Sequence, residues 1–188
     1  SNSDICFCVT KWKNVLFPAA AAASERPASP AAAATPSACD STAMKVATWN
    51  VNSVRKRTGN LVAWLQRAKP DVVVLQELKA QQEQFPKAEI EAAGYRAEIV
   101  GQKGFNGVAL LSLHPVEITA RALPDAVADE PARYIEGRIS TPSGPLTVGG
   151  LYLPNGNPVP GPKYDYKLAW MARLRDRAQA LLALEEPA

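Results

Sequence analysis

The residues DVVVLQE at 71–77 limit the folds open to this chain more than any other stretch. A strand that is apolar at successive positions must be buried on both faces, which is typical of the interior of an α/β sheet. A shorter strand pattern, KVATWNV at 45–51, precedes it. Between them, 58–69 has apolar residues at i, i+3, i+4 and i+7, a helical spacing. The order strand–helix–strand predicts two parallel neighbouring strands with a helix packed on their sheet.

The rest of the chain adds further strands and two helices. Pro and Gly separate the strand patterns, as in TPSGP at 141–145. Gly94 is expected to end a short helix at 85–95. A long coil at 154–163 precedes the last helix, and loops of this length are often functional. We therefore expect an α/β fold in which one mixed sheet carries packed helices. The remaining predicted strands are 95–101, 107–113, 133–140 and 145–153, and the last helix is 164–185.

Residues 1–43 differ from the rest in composition. They hold all three cysteines, and 24–43 consist mostly of Ala, Ser, Pro and Thr. Such a segment buries too little apolar surface to offset the entropy cost of ordering it. We predict a disordered tail at 1–43, followed by one domain at 44–188. Because the first methionine is Met44, the tail is sequence upstream of the true start, a plain disordered extension or a targeting peptide, and the first two are favoured over the third.

Charge and cysteine content bear on the location and partners of the domain. The tail has three basic and three acidic residues, so the formal net charge of +3 belongs wholly to 44–188. This mild charge permits a polyanionic partner without requiring one. A domain without cysteine suits a reducing compartment. We expect a cytoplasmic protein, or an organellar one if the tail is a targeting peptide. No apolar run approaches the ~20 residues that span a bilayer, so no membrane partner is expected.

Polar side chains follow the first two predicted strands of the domain. Glu77 ends the buried strand, and Asn50 ends the strand before it. Parallel neighbours would place both at the same edge of the sheet, where ligands of α/β proteins gather. A carboxylate beside an amide oxygen is an environment that suits Mg²⁺. Glu77 could equally be an ordinary ion-pair partner, because a buried carboxylate needs a cation of some kind.

Two later stretches carry polar residues in a glycine-rich turn or at a strand end. GQKGFNGVALL at 101–111 combines glycines with polar donors, and on its own it reads as a hairpin turn with a polar tip. GGLYLPNGN at 149–157 places Tyr152 and Asn155 at a strand end before the long coil. A tyrosine there is either structural or, if it faces the same edge as Glu77, placed to hold a phosphate.

Five stretches together resemble a known family. WNVN, LQELK, GQKGFNGVALL, ARYIEG and YLPNGN, in this order and spacing, are similar to the exonuclease III type of apurinic/apyrimidinic endonuclease, in the endonuclease/exonuclease/phosphatase superfamily. The resemblance covers about 44–185. It implies half of a four-layered α/β sandwich built from two similar halves. The chain would supply roughly one sheet and its helices, with the face meant for the second sheet left exposed.

The resemblance implies an activity and a role for each matched residue. The family hydrolyses the DNA backbone 5′ to abasic sites and removes nucleotides from 3′ ends, with Mg²⁺ or Mn²⁺ as cofactor. Glu77 would bind the metal, Asn50 would serve metal and catalysis, and Tyr152 would lie at the scissile phosphate. The partner would be double-stranded DNA with abasic sites or 3′ ends, bound by a monomer when complete. The implied DNA-facing residues are Asn52, Arg55, Lys79, Gln102, Lys103, Asn106 and Asn155.

The sequence also departs from the family pattern. A Gly-Asp-x-Asn motif, a further Asp and a terminal Ser-Asp-His are absent, and the one histidine, His114, does not match the family's. Hydrolysis needs a positioned acid or base besides a metal. We therefore expect a DNA-repair nuclease by descent that is inactive as this fragment. The alternative is a non-catalytic DNA-binding or inert half-domain. A third reading keeps the superfamily but changes the substrate to a phosphoinositide or a nucleotide phosphodiester.

Overall fold

The computed structural model describes residues 4–9, 44–125, 131–142 and 144–184. Within these ranges the chain forms strands, α-helices and one short 3₁₀ helix at Gln82–Gln84. The strands are β1 Asp4–Val9, β2 Val46–Asn50, β3 Val72–Gln76, β4 Arg96–Val100, β5 Val108–Ser112, β6 Val116–Ala120, β7 Tyr134–Thr141 and β8 Gly144–Leu151. The helices are α1 Val54–Ala68, α2 Lys87–Ala92 and α3 Pro162–Ala183.

The first sheet has the strand order β2-β3-β5-β4. Strand β2 runs parallel to β3, with Asn50 opposite Gln76, whereas β5 is antiparallel to both β3 and β4. All five residues of β3 and all five of β5 are buried, because these strands occupy the centre of the sheet. The predicted α/β class with a mixed sheet and packed helices is confirmed.

Helices α1 and α2 cover one face of the first sheet. Leu61 and Leu65 of α1 and Ile90 of α2 are fully buried against Val73 and Leu75 of β3. Helix α1 begins at Val54, four residues before the predicted start, because Val54 is itself buried although it precedes the regular apolar spacing. The basic residues 55–57 therefore lie in its first turn.

A second sheet covers the opposite face, so the expected exposed face is not observed. Its strand order is β1-β8-β7-β6. Val72 and Val74 of the first sheet pack against Ile135, Ile139 and Val148 of the second, all with little or no exposure. The strands predicted at 133–140 and 145–153 lie in this second sheet instead of extending the first, together with β6, which was not predicted. Its sequence, VEITA, is short and half-exposed, which leaves only a weak apolar pattern.

Strand β1 extends the second sheet at its β8 edge. It pairs with β8 in parallel, from Asp4 opposite Leu146 to Val9 opposite Leu151. The prediction of disorder therefore does not hold for the backbone of Asp4–Val9. The remainder of 1–43 lies outside the described residues, so the division at residue 43 stays a prediction. Within the described ranges, no helix is both long and apolar enough to cross a membrane.

Helix α3 is held on the second sheet by an aromatic anchor and a buried ion pair. Trp170 is 1% exposed and packs with Tyr134 and Leu151. Arg177 donates to both oxygens of Glu136, a β7 carboxylate with no exposure, at 2.9 and 2.5 Å. Two hydroxyls complete the Glu136 hydrogen bonds, from Tyr134 and Thr119, each at 2.6 Å.

The pKa of Glu136 reflects this setting. Burial alone would raise it, since a carboxylate loses its hydration in the protein interior. The hydrogen bonds from Arg177, Thr119 and Tyr134, together with the charge of Arg177, outweigh burial and hold the pKa of Glu136 below its usual value. Glu136 is therefore ionised at neutral pH.

Two glycines give opposite stability predictions. A Cβ at Gly150 of β8 would lie 2.8 Å from Val74 Cγ1 across the sheet interface, whereas a Cβ at Gly59 of α1 would meet nothing within 4 Å. We expect Gly150→Ala to lower the free energy of unfolding by about 1–3 kcal/mol through overpacking. Gly59→Ala should raise it by about 0.5–1 kcal/mol through better helix propensity. Urea unfolding of both variants measures these changes. Equal changes in the free energy of unfolding would contradict the close contact between Gly150 and Val74.

Candidate active site

The parallel pairing of β2 and β3 brings Asn50 and Glu77 to the same edge of the first sheet. Asn50 pairs with Gln76, and Glu77 follows one residue later. Asn50 Nδ2 donates a hydrogen bond to Glu77 Oε1 at 2.8 Å. The side chain of Glu77 is 16% exposed, so it is largely shielded but keeps some access to solvent.

Tyr152 reaches the same carboxylate from the second sheet. It follows β8 directly, and its hydroxyl donates to Glu77 Oε1 at 2.9 Å. Burial, together with the hydrogen bond to Glu77 and the charge of Glu77, raises the pKa of Tyr152 to about 12. The phenol is therefore protonated at neutral pH and acts as a donor. One oxygen of Glu77 thus accepts from both Asn50 and Tyr152, which leaves Oε2 to other partners.

Lys79 and Asn52 complete the polar cluster. Lys79 Nζ is 3.6 Å from Glu77 Oε2 and donates to Asn52 Oδ1 at 2.6 Å. The backbone N–H of Asn52 donates in turn to Asn50 Oδ1 at 3.1 Å. Both the nitrogen and the oxygen of the Asn50 amide therefore make hydrogen bonds, and these bonds orient its Nδ2 towards Glu77.

The loops that carry these residues adopt unusual backbone conformations. Asn52, Ser53, Glu77 and Lys79 have φ values of 44°, 86°, 54° and 51°, in the left-handed region that non-glycine residues seldom adopt. Two backbone hydrogen bonds tie the loops to each other. Ser53 N donates to Glu77 O at 2.9 Å, and the next residue repeats the pattern onto Leu78 O at 3.0 Å. The loops therefore form one unit.

The loop between β4 and β5 lies beside this unit. Lys79 N donates to Asn106 O at 3.0 Å, and Asn106 Nδ2 donates to Gln102 Oε1 at 2.8 Å. Gly107 permits the approach, since its φ is 104° and a Cβ there would lie 2.9 Å from Leu78 Cβ. The ring of Phe105 is 75% exposed, and its centroid lies 5.3 Å from Lys79 Nζ. Phe105 was not among the residues predicted from the sequence.

Other predicted DNA-facing residues lie outside the hydrogen-bonded cluster. Arg55 and Lys103 are exposed, and no side-chain contact joins them to Glu77 among the described residues. Asn155 is also exposed, and its Oδ1 accepts from Asn157 N at 3.2 Å. Of the basic triplet 55–57, Arg57 is bonded to the Val51 carbonyl at 2.7 Å, which gives it a structural partner. The DNA-facing roles of Arg55, Lys103 and Asn155 stay predictions.

His114 lies far from Glu77. Its Nε2 is 3.1 Å from Asp71 Oδ1, and Asp71 immediately precedes β3. Glu77 follows the other end of β3, six residues along the chain, which corresponds to about 20 Å in an extended strand. His114 is therefore not placed to act on a group bound at Glu77, as the sequence indicated.

The sequence reasoning missed Arg133. Its guanidinium carbon lies 4.8 Å from the centroid of the Tyr152 ring, and its Nη1 donates to Tyr152 O at 3.2 Å. The motif ARYIEG was noted only as part of the resemblance. Pairing the strand patterns 133–140 and 145–153 across their tight turn would have set Arg133 opposite Tyr152.

The donor set fits a hard divalent cation with few protein ligands. Glu77 supplies the carboxylate, and its Oε2 accepts neither the Asn50 nor the Tyr152 hydrogen bond and has Lys79 Nζ 3.6 Å away. Mg²⁺ typically uses one or two carboxylates, several waters and substrate phosphate oxygens. In the ranges that the structure describes, no group of three or more His, Cys, Asp or Glu side chains could hold a metal. Glu77 would therefore supply the negative charge that the protein offers to a metal bound here.

Comparison with known proteins places these features in a family. The model of the endonuclease/exonuclease/phosphatase family matches residues 47–188. The exodeoxyribonuclease III of Haemophilus influenzae is 38% identical over 113 residues, which are 60% of this chain and 42% of that protein. The sequence-based resemblance to the exonuclease III type is confirmed.

Two solved structures share both fold and sequence. An AP endonuclease from Archaeoglobus fulgidus superposes with a TM-score of 0.64 at 37% identity, covering 70% of this chain and 49% of that one. The 3′ phosphatase NExo from Neisseria, bound to a product DNA hairpin, gives 0.66 at 36% identity, covering 75% and 53%. The chain thus spans about half the length of the relatives it matches. It belongs to the endonuclease/exonuclease/phosphatase family.

Proposed function

We propose that this chain carries the metal-binding and phosphate-facing side of a Mg²⁺-dependent DNA phosphodiesterase site of the DNA-repair type. One observation carries the proposal: Asn50 from the first sheet and Tyr152 from the second both donate to the same oxygen of Glu77. A carboxylate held from two sheets is an oriented ligand rather than a surface ion-pair partner. DNA as substrate is supported by the relatives, which include AP endonuclease and 3′ phosphatase structures.

Each residue of the cluster then has a physical role. Glu77 binds the metal, and Asn50 fixes the rotamer of Glu77. Tyr152 is protonated because its pKa is about 12. Its one hydroxyl proton is donated to Glu77 Oε1 here, and in a DNA complex it would instead be donated to a phosphate oxygen. Lys79 places a positive charge beside the carboxylate and beside any bound phosphate. A bound divalent cation would neutralise charge that grows on the phosphate during hydrolysis.

The described residues do not supply a complete hydrolytic set. His114 lies by Asp71, at the opposite end of β3 from Glu77, and the described residues hold no group of three or more His, Cys, Asp or Glu side chains that could bind a metal. Loss of members of a catalytic unit usually lowers the rate by about 10³ or more. The proposal is therefore that the chain binds DNA with a metal and does not turn over by itself. The substrate is abasic-site DNA or a 3′ end rather than a phosphoinositide, since the relatives act on DNA.

A binding and cleavage assay on one substrate tests this proposal. Purified chain is mixed with a duplex oligonucleotide that contains one tetrahydrofuran abasic-site analogue, with Mg²⁺ or with EDTA. We expect tighter DNA binding with Mg²⁺, because a divalent cation bound at Glu77 adds positive charge to that already supplied by Lys79 and attracts phosphate more strongly. We expect no incision above the background of the Glu77→Gln variant.

The outcomes separate binding from turnover. Incision that EDTA and Glu77→Gln both abolish would contradict the statement that the chain does not turn over. Binding that is indifferent to Mg²⁺ would contradict the metal site and favour a metal-independent DNA-binding module. Circular dichroism of the same samples shows that each variant is folded before its result is used.

A further inference from the structure

The backbone places Arg133 directly beside Tyr152. Tyr134 and Leu151 form the last pair of the β7–β8 ladder, and the next pair outward is Arg133 with Tyr152. Tyr152 N donates to Arg133 O at 2.8 Å, so the two residues remain bonded beyond the ends of their strands. This backbone bond fixes where the Tyr152 side chain starts, but not where its ring points.

The Arg133 side chain returns to the same tyrosine. Its guanidinium lies over the ring, with Cζ 4.8 Å from the centroid, and Nη1 donates to the Tyr152 carbonyl at 3.2 Å. Its Nε is shielded from solvent and has no hydrogen-bond partner among the described residues. A planar guanidinium stacks on an aromatic face and holds one orientation better than a flexible ammonium does.

We propose that Arg133 is the positioning residue for Tyr152, and that it holds the phenol hydroxyl on Glu77 Oε1. The ring is held at one face by the guanidinium and at its hydroxyl by Glu77, 2.9 Å away. Tyr152 lies in the coil just after β8, where one backbone bond to Arg133 places its backbone but does not set the direction of its ring. The consequence for metal binding rests on the proposed function; the positioning itself does not.

Fluorine NMR of protein labelled with 3-fluorotyrosine tests the positioning without any activity. The Tyr152 signal is assigned by its loss in Tyr152→Phe. Two variants are compared with the original chain: Arg133→Met, which keeps a long apolar stem, and Arg133→Lys, which keeps the charge. We expect the Tyr152 signal to shift towards that of free fluorotyrosine in Arg133→Met and by less in Arg133→Lys. Tyr95, whose hydroxyl donates to Pro70 O in the first sheet, is the internal control.

Affinity for Mn²⁺ alone, measured by electron paramagnetic resonance, provides the second readout. We expect binding about 10-fold weaker in Arg133→Met, because groups that orient a metal ligand alter affinity by about 10–100-fold. The proposal is overturned if the Tyr152 signal does not move in Arg133→Met. It is also overturned if the Tyr95 signal moves together with that of Tyr152, because the substitution has then loosened the whole fold. If Tyr152 alone moves but the original chain binds no Mn²⁺, positioning stands and the proposed function fails.

Discussion

The Glu77→Gln variant is expected to bind Mn²⁺ at least about 100-fold more weakly than the original chain. Glutamine keeps the shape of glutamate, and its carbonyl oxygen can still accept from Asn50 and Tyr152, so the local geometry survives. What it lacks is the negative charge that a divalent cation needs from the protein. Groups that only orient a ligand change affinity by about 10–100-fold, so losing the ligand itself should exceed that range.

Mn²⁺ titration followed by electron paramagnetic resonance measures this effect, since free and bound ions give different signals. Glu91→Gln is the matched control, because it removes the same charge from an exposed carboxylate that pairs with Lys87 on α2. The control should bind as the original chain does. Equal weakening in both variants would mean that general electrostatic attraction, and not a site at Glu77, accounts for the binding.

The Glu136→Gln variant should have the largest effect on stability. It leaves Arg177, whose side chain is 21% exposed, without its carboxylate in a largely buried position. Breaking a buried pair costs about 3–5 kcal/mol, and the partial exposure of Arg177 favours the lower end, about 3 kcal/mol. For a domain of this size that corresponds to a Tm lower by about 6–12 °C. Calorimetry checks the shift.

The effect of Glu136→Gln should also depend on pH. Because the pKa of Glu136 is lowered from 4.5, the folded state binds fewer protons at this group than the unfolded state does. Its stabilising contribution is present above pH 4.5 and is lost as the pH falls through the folded-state pKa. The difference between the two proteins should therefore shrink in acid. Glu117→Gln, an exposed change on β6, is the control with little expected effect at any pH.

Much of the first sheet was predictable from sequence because its signals are local and strong. The buried run of β3 and the parallel neighbour β2 set Asn50 and Glu77 at one edge, as expected from the strand patterns. The second sheet was less accessible. Strand β6 alternates weakly. Strand β1 was missed because the tail was judged on the Ala-, Ser-, Pro- and Thr-rich residues 24–43, although ICFCV at 5–9 is a continuous apolar run; only its choice of β8 as a partner depends on tertiary contact.

The candidate site was predicted in its residue types but not in its connections. Strand ends and the family resemblance predicted Glu77 and Tyr152 as site residues. They did not predict that the two come from different sheets and that the Tyr152 hydroxyl donates to the Glu77 carboxylate. Arg133 was missed because an arginine before a strand is ordinary on its own. Only the register of two strands shows which residue it lies beside.

The left-handed backbone at Asn52, Ser53, Glu77 and Lys79 limits how far the stability of this protein can be raised without changing the loops around the carboxylate. Each such residue costs about 1–2 kcal/mol relative to a relaxed conformation, and the cost falls on the loops that surround the carboxylate. Glycine would remove the strain at any of these positions but would also remove the side chain. Selection for heat resistance alone would therefore tend to erode this cluster first, so thermal robustness and an oriented carboxylate are opposing demands on the same few residues.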